Sequence, residues 1–107
     1  MRRVNEVIRE VLGTTISSEL QDPRIGFVTV TAVDTSADLR HARVHVSVLG
    51  SEVEREQTLA ALRSAHGLLQ SAINAQTHMK RTPELSFHYD ESIERADRIS
   101  RMLEDRE

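Results

Sequence analysis

The chain contains no cysteine and no tryptophan. Without cysteine there can be no disulfide scaffold, no thiolate zinc site and no cysteine nucleophile, and the chain has no need of an oxidising compartment. Aromatic residues make up only 3% of the sequence, two Phe and one Tyr, which is too few for the paired stacking platform that RRM-type sheets offer to bases. Two prolines and four glycines in 107 residues leave no room for a Pro- or Gly-rich linker, and no repeat or low-complexity tract is present, so one domain is expected. No apolar run approaches the ~18–20 residues needed to cross a bilayer. The N-terminus Met1-Arg2-Arg3-Val4 starts basic, but Asn5, Glu6, Arg9 and Glu10 interrupt what would be the apolar core of a signal peptide. A soluble, cytoplasmic protein is expected.

Templates for catalysis are also missing. The sequence has no G-x-S-x-G elbow, no G-x-x-x-x-G-K-S/T phosphate loop, no H-E-x-x-H zinc helix and no G-x-G-x-x-G fingerprint. His41 and His45 invite a metal reading, yet on a strand they stand roughly 13 Å apart, whereas two imidazoles on one zinc need donors within ~4 Å. Asp90, Glu91, Glu94 and Asp97 could form a carboxylate pair, but no apolar pocket is indicated to separate their pKa values. An exposed helix face with i,i+4 pairs Glu91/Arg95 and Glu94/Arg98 is the plainer account. No enzymatic activity, cofactor or metal is expected.

The formal net charge is −3, which argues against a polycation coating nucleic acid. The acid excess lies mostly toward the C-terminus, and the first fifty residues carry six Arg against six acids. A local basic patch on a neutral body therefore remains open. Thirteen of the fourteen cations are Arg, the side chain suited to phosphate forks, although codon bias alone accounts for such a preference.

Val4, Val7, Ile8, Val11, Leu12, Ile16 and Leu20 fall at spacings of three and four, predicting an amphipathic helix from about Arg3 to Leu20. Gly13 inside it points to close packing or a slight bend, and Asp22-Pro23 ends it. From Gly26 to Val33, Val28, Val30 and Ala32 alternate with Thr29 and Thr31, a strand with the valines and Ala32 inward. After the polar Asp34–Asp38 turn, Ala42, Val44, Val46 and Val48 alternate with His41, Arg43, His45 and Ser47, completing an antiparallel hairpin. Ser51 and Glu54 have capping-box spacing. A helix should begin there and reach about Gln76, broken near Gly67. Leu85, Phe87 and Tyr89 predict a third strand, and Ile93, Ala96, Ile99, Met102 and Leu103 a final helix or frayed tail. One-sided strands imply a two-layer α+β sandwich, a three-stranded sheet with helices on one face and the other face wet.

A helix break exposes backbone amides at a new helix start, and these bind phosphate without a basic surface. The alternative is that Gly67 merely allows close packing on the sheet. Arg2, Arg3, Lys80 and Arg81 could add cationic contacts.

The element order α-β-β-α-kink-α-β resembles the type II KH domain, an RNA-binding module, but the usual GxxG loop is replaced by Ala65-His66-Gly67. In this the sequence resembles the ribosome-binding factor A family. The likeness extends through Leu20-Gln21-Asp22-Pro23-Arg24-Ile25-Gly26, Ser36-Ala37-Asp38-Leu39-Arg40-His41-Ala42, Val44, Val46-Ser47-Val48-Leu49-Gly50, Pro83-Glu84-Leu85 and Tyr89-Asp90-Glu91-Ser92-Ile93-Glu94-Arg95. The resemblance implies a KH-like domain over residues 1–98 with a charged tail at 99–107. It implies a non-enzymatic, monomeric assembly factor that binds 16S rRNA and the free small (30S) ribosomal subunit. Such a factor assists late maturation, including processing of the 5′ end of 16S rRNA, matters most in the cold, and is released with the help of a ribosome-associated GTPase. It implies RNA contact at Ala65, His66 and Gly67, and at the basic positions Arg2, Arg3, Arg24, Lys80 and Arg81. Arg24 has an equally good local role in the Asp22-Pro23-Arg24 turn. Relatives often carry more basic ends, whereas this chain ends Glu104-Asp105-Arg106-Glu107. Two other readings compete with this family. One is a stand-alone KH-like RNA binder, and the other is a small α+β ligand-binding domain.

Overall fold

The first apolar stripe forms helix α1, Arg2–Ser18, with Ile8, Leu12, Thr15 and Ile16 buried. It belongs to a computed structural model that describes residues 2–77, 79, 81–92, 100 and 102–103. A Cβ built on Gly13 would meet nothing within 4 Å, so close packing is not the reason for this glycine. Beyond the helix, Asp22 closes the expected turn: its Oδ1 accepts from the Arg24 amide at 2.9 Å and its carbonyl from the Ile25 amide at 3.0 Å.

Strands β1 (Val28–Thr35) and β2 (His41–Val48) pair antiparallel. Their connection is built on side chains as much as backbone. Asp38 Oδ1 accepts from Ser36 Oγ at 2.6 Å and from the Arg40 amide at 3.0 Å, while Leu39 takes the left-handed conformation at φ 61°. The expected alternation along β1 fails at one point. A bulge shifts the register between Val30↔Val46 and Ala32↔His45, leaving Thr31 as the extra residue. Past the bulge the faces exchange, so Val33 lies against Val44 in the core and Ala32 is exposed, the reverse of the simple period. Thr31 is also not on an open face: it is half-buried, and its hydroxyl donates to Asp90 Oδ2 at 2.6 Å.

Strand β3 (Glu84–Tyr89) adds to the other side of β2 in parallel, giving the order β1-β2-β3. Between β2 and β3 run helices α2 (Glu52–Ser64) and α3 (His66–Thr77). The Ser51 capping box forms as its spacing predicts, with the Glu54 amide 3.2 Å from Ser51 Oγ and the Ser51 amide 3.3 Å from Glu54 Oε1. Gly50, at φ 141°, makes the tight entry into α2. The three helices cover one face of the sheet, and the core between them is Ile8, Leu12 and Ile16 of α1, Leu62, Leu69 and Ile73 of the crossover, and Val44, Val46, Leu85 and Phe87 of the strands. The α+β, KH-like sandwich with one wet sheet face is therefore present. The expected tail helix and its ion pairs lie mostly outside the described residues.

Two outcomes follow from the bulge. Val33→Thr should cost about 1–3 kcal/mol in urea melts, because it buries an unpartnered hydroxyl, whereas Ala32→Thr should stay within about 0.5 kcal/mol. Hydrogen bonds from Ser92 and Thr31 lower the Asp90 pKa from 3.8 to about 2. A depressed carboxylate stabilises the fold above its unfolded pKa and ceases to do so as pH falls through the folded one. Stability should thus decline from about pH 5 toward pH 2, and Asp90→Asn, less stable at pH 7, should lose less over the same interval.

Candidate nucleic-acid interface

The break in the crossover falls at Ala65, two residues before the glycine that signalled it. Ala65 has φ −88° and ψ 12°, and its amide still reaches back to the Ala61 carbonyl at 3.0 Å. One residue earlier, Ser64 Oγ donates to the Ala60 carbonyl at 2.9 Å, a back-bond that bends helices. Gly67 sits in the first turn of α3 without a positive φ, and a Cβ there would meet nothing within 4 Å. Close packing on the sheet is therefore not what selects glycine here. What glycine does is leave the backbone of this turn bare to solvent.

Helix α3 restarts with amides that lack acceptors inside the helix. The first to find one across the break is Leu69, on the Ala65 carbonyl at 3.0 Å. The side of this turn that Gly67 occupies is open space, and a helix's first-turn amides are the kind of donor that suits a phosphate oxygen.

His66 is half-buried, and its Nε2 lies 3.2 Å from the Leu85 carbonyl. A carbonyl only accepts, so this nitrogen carries the proton. Two neighbours that the sequence did not single out act alongside it. Arg63 Nη2 donates to the Phe87 carbonyl at 2.9 Å, and Gln70 Nε2 donates to the Pro83 carbonyl at 2.8 Å while its Oε1 accepts from the Leu85 amide at 3.2 Å. Positions 63, 66 and 70 share a helical face across the break and meet the carbonyls of alternate residues 83, 85 and 87 along the outer edge of β3. The three side chains serve where a fourth strand would otherwise pair. Their spacing against an edge strand was a usable signal, but only once β3 was known to be an edge.

The basic candidates divide between two ends of the molecule. The Thr35 amide donates to Asn5 Oδ1 at 3.1 Å, and the Glu84 amide to the Arg40 carbonyl at 2.8 Å. These bonds bring the start of α1, the β1–β2 turn and the approach to β3 to one end, carrying Arg2, Arg3 and Arg81, all exposed, together with Arg40. Arg2 makes only a loose i,i+4 contact with Glu6, at 3.8 Å and 94% side-chain exposure. Lys80, and His78 before it, lie outside the described residues. Arg24 lies at the opposite end, where its guanidinium grips Asp22 with Nη2 to Oδ2 at 2.7 Å. The bond holds the Asp22 carboxyl below its ordinary pKa and the Arg24 guanidinium above its own.

The wet sheet face carries Arg43, His45 and His88, the two imidazole rings 5.9 Å apart. Burial pushes the His88 pKa down, and the charges of His45, Arg43 and Arg63 push it further. His88 is thus held neutral at pH 7, and this face is neither an aromatic platform nor a strongly cationic one.

If the edge clamp is structural and Gly67 is not, their variants should separate in urea melts. Gln70→Leu strands the Leu85 amide and the Pro83 carbonyl and should cost about 1–3 kcal/mol. Gly67→Ala should be neutral or stabilising by up to about 1 kcal/mol.

The same architecture occurs in solved structures. A crystal structure of ribosome-binding factor A from Thermus thermophilus shares 31% sequence identity, matches 82% of this chain and 92% of its own, and gives a TM-score of 0.74. A solution NMR structure of a Thermotoga maritima protein described as a putative ribosome binding factor A shares 32%, over 85% and 87% of the two chains, with a TM-score of 0.77. A homology model of the Thermus thermophilus factor, fitted into a cryo-EM map of a 30S–RbfA complex, shares 31% over 81% and 91%, with a TM-score of 0.69. The profile described as Ribosome-binding factor A matches residues 1–103. With the fold and a profile match over nearly its whole length in agreement, the chain belongs to the ribosome-binding factor A family.

Proposed function

We propose that this protein binds the free small ribosomal subunit as a non-enzymatic assembly factor and assists its late maturation, including processing of the 5′ end of 16S rRNA. The observation that carries this reading is the likeness, over 81% of the chain, to a relative placed on a 30S particle. The geometry supports it. A bare backbone turn at Gly67 and a cluster of Arg2, Arg3, Arg40 and Arg81 at one end suit phosphates held in fixed positions by a folded RNA. A near-neutral body with local arginines gives moderate affinity and allows release, which in this reading a ribosome-associated GTPase assists. Residues 1–98 form the working domain and 99–107 a charged tail, and the protein acts as a monomer. Lys80, next to Arg81 in the sequence, is a further proposed phosphate contact. Arg24, held by Asp22 at the far end, serves the turn between α1 and β1.

Sucrose-gradient sedimentation of lysate from cold-grown cells carrying a tagged copy tests the proposal. The tag should migrate with free small subunits and be absent from polysomes, and a signal confined to the top of the gradient would overturn the reading. For the contacts, Gly67→Val should weaken subunit binding more than it lowers the urea midpoint, and equal losses would make the glycine structural. Converting Lys80 and Arg81 to Glu should weaken binding and reduce the slope of log affinity against log salt by about 1 per phosphate contact removed. An unchanged slope would place both outside the interface.

A further inference from the structure

The end of the molecule away from the arginine cluster has a different chemistry. Of the three aromatic residues in the chain, Phe87 and Tyr89 are packed into or against the core, but Phe27 is 81% exposed. The Leu49 amide donates to the Phe27 carbonyl at 3.0 Å, so Phe27 and Leu49 stand opposite each other one rung beyond Val28↔Val48. Leu49 is 74% exposed, and Val53, in the first turn of α2 at the same end, is 62% exposed. Phe27 and Leu49 thus form an exposed apolar pair, with Val53 at the same end, and exposed side chains of this size on a small domain mark a surface that meets another molecule.

The charges around the group identify that molecule. Glu52, Glu54 and Glu56 are exposed along the start of α2, and the cleft beside Phe27 is lined by Leu20 and Ile25 together with Asp22, whose charge its pair with Arg24 cancels. Among the described residues, the two cations at this end are already engaged. Arg24 is gripped by Asp22, and the Arg55 guanidinium lies 4.7 Å from the centre of the Tyr89 ring. Such a rim repels phosphate and attracts lysine and arginine side chains.

We propose that the Phe27–Leu49–Val53 end docks a basic protein surface carrying an apolar recess, while the arginine end contacts RNA. On a ribosomal particle such a surface belongs to a ribosomal protein, so the inference rests on the subunit-binding reading above. The molecule would then bridge RNA and protein across its length.

The test compares two purified probes, intact small subunits and protein-free 16S rRNA transcript, with wild type and the double variant Phe27→Ser, Leu49→Ser. Both side chains are exposed, and an unchanged urea midpoint checks that the variant folds. Affinity for intact subunits should fall at least tenfold and affinity for the transcript should not change. In addition, p-benzoylphenylalanine in place of Phe27 should crosslink on intact subunits to protein, at a peptide rich in Lys or Arg. An equal fall on both probes, or a crosslink to RNA, would mean that Phe27 stacks on a base. Loss of a concentration-dependent dimer in the variant would assign the patch to a second copy, and a crosslink to residues 91–107 would assign it to the chain's own tail. Any of these overturns the proposal. If wild type binds subunits and the variant binds equally well, the docking surface fails and the subunit reading stands. If wild type binds neither probe, both fail.

Discussion

The parallel pairing of β3 with β2 is the constraint from which the rest of the architecture follows. Antiparallel neighbours can be joined by a short turn, as β1 and β2 are, but parallel neighbours require the chain to travel back along the whole sheet. Here the return is made by α2 and α3, of 13 and 12 residues. An unbroken helix of that length would run close to 40 Å at 1.5 Å per residue, whereas the longest strands of eight residues span about 26 Å. A straight crossover would overshoot the sheet. The break at Ala65 resolves this: α2 lies along β3, and α3 swings onto α1 and closes the core with Leu69 and Ile73.

The break then does two things with one stretch of chain. Its inward face delivers Arg63, His66 and Gln70 to the outer edge of β3, satisfying polar groups that would otherwise invite another strand. Its outward face, at Gly67, carries no side chain and is exposed. Within the motif Ala65-His66-Gly67 the roles therefore divide. Ala65 turns the chain, His66 ties it to the sheet, and Gly67 keeps the surface open. In the proposed subunit contact, this single bare turn at the start of α3 would stand where a GxxG loop stands in other KH-like domains.

Much of the fold was legible in the residues. The three-and-four spacing from Val4 to Leu20, the valine alternation of β2, the Ser51–Glu54 box and the Leu85–Phe87 pair each carry a local period or cap that owes little to distant partners. The β1 bulge was not legible, because nothing local distinguishes Thr31 from its neighbours. Its place is set by an acceptor 59 residues away, Asp90, and by the register β2 imposes. The break lies near the position that Gly67 predicts but has another cause, since the turn occurs at an alanine with ordinary negative φ. In the candidate site, the family motif marked the segment where the crossover breaks. Arg63 and Gln70 stayed hidden because their partners are backbone atoms of an edge that exists only in the folded molecule.

The sequence by itself determined which segments become helix and strand, the apolar stripes of α1, β2 and β3, the capping of α2 and the family to which the chain belongs. These depend on near neighbours and on patterns of residue type. Only the tertiary structure decided that Val33 and not Ala32 is buried, that His66 holds the β3 edge, that Arg2, Arg3, Arg40 and Arg81 gather at one end, and that Arg24 and the exposed Phe27 lie at the other. The reason is physical. Pairing across a sheet and bonds between residues thirty or more positions apart are set when the chain closes on itself, and no local period encodes where those partners will be.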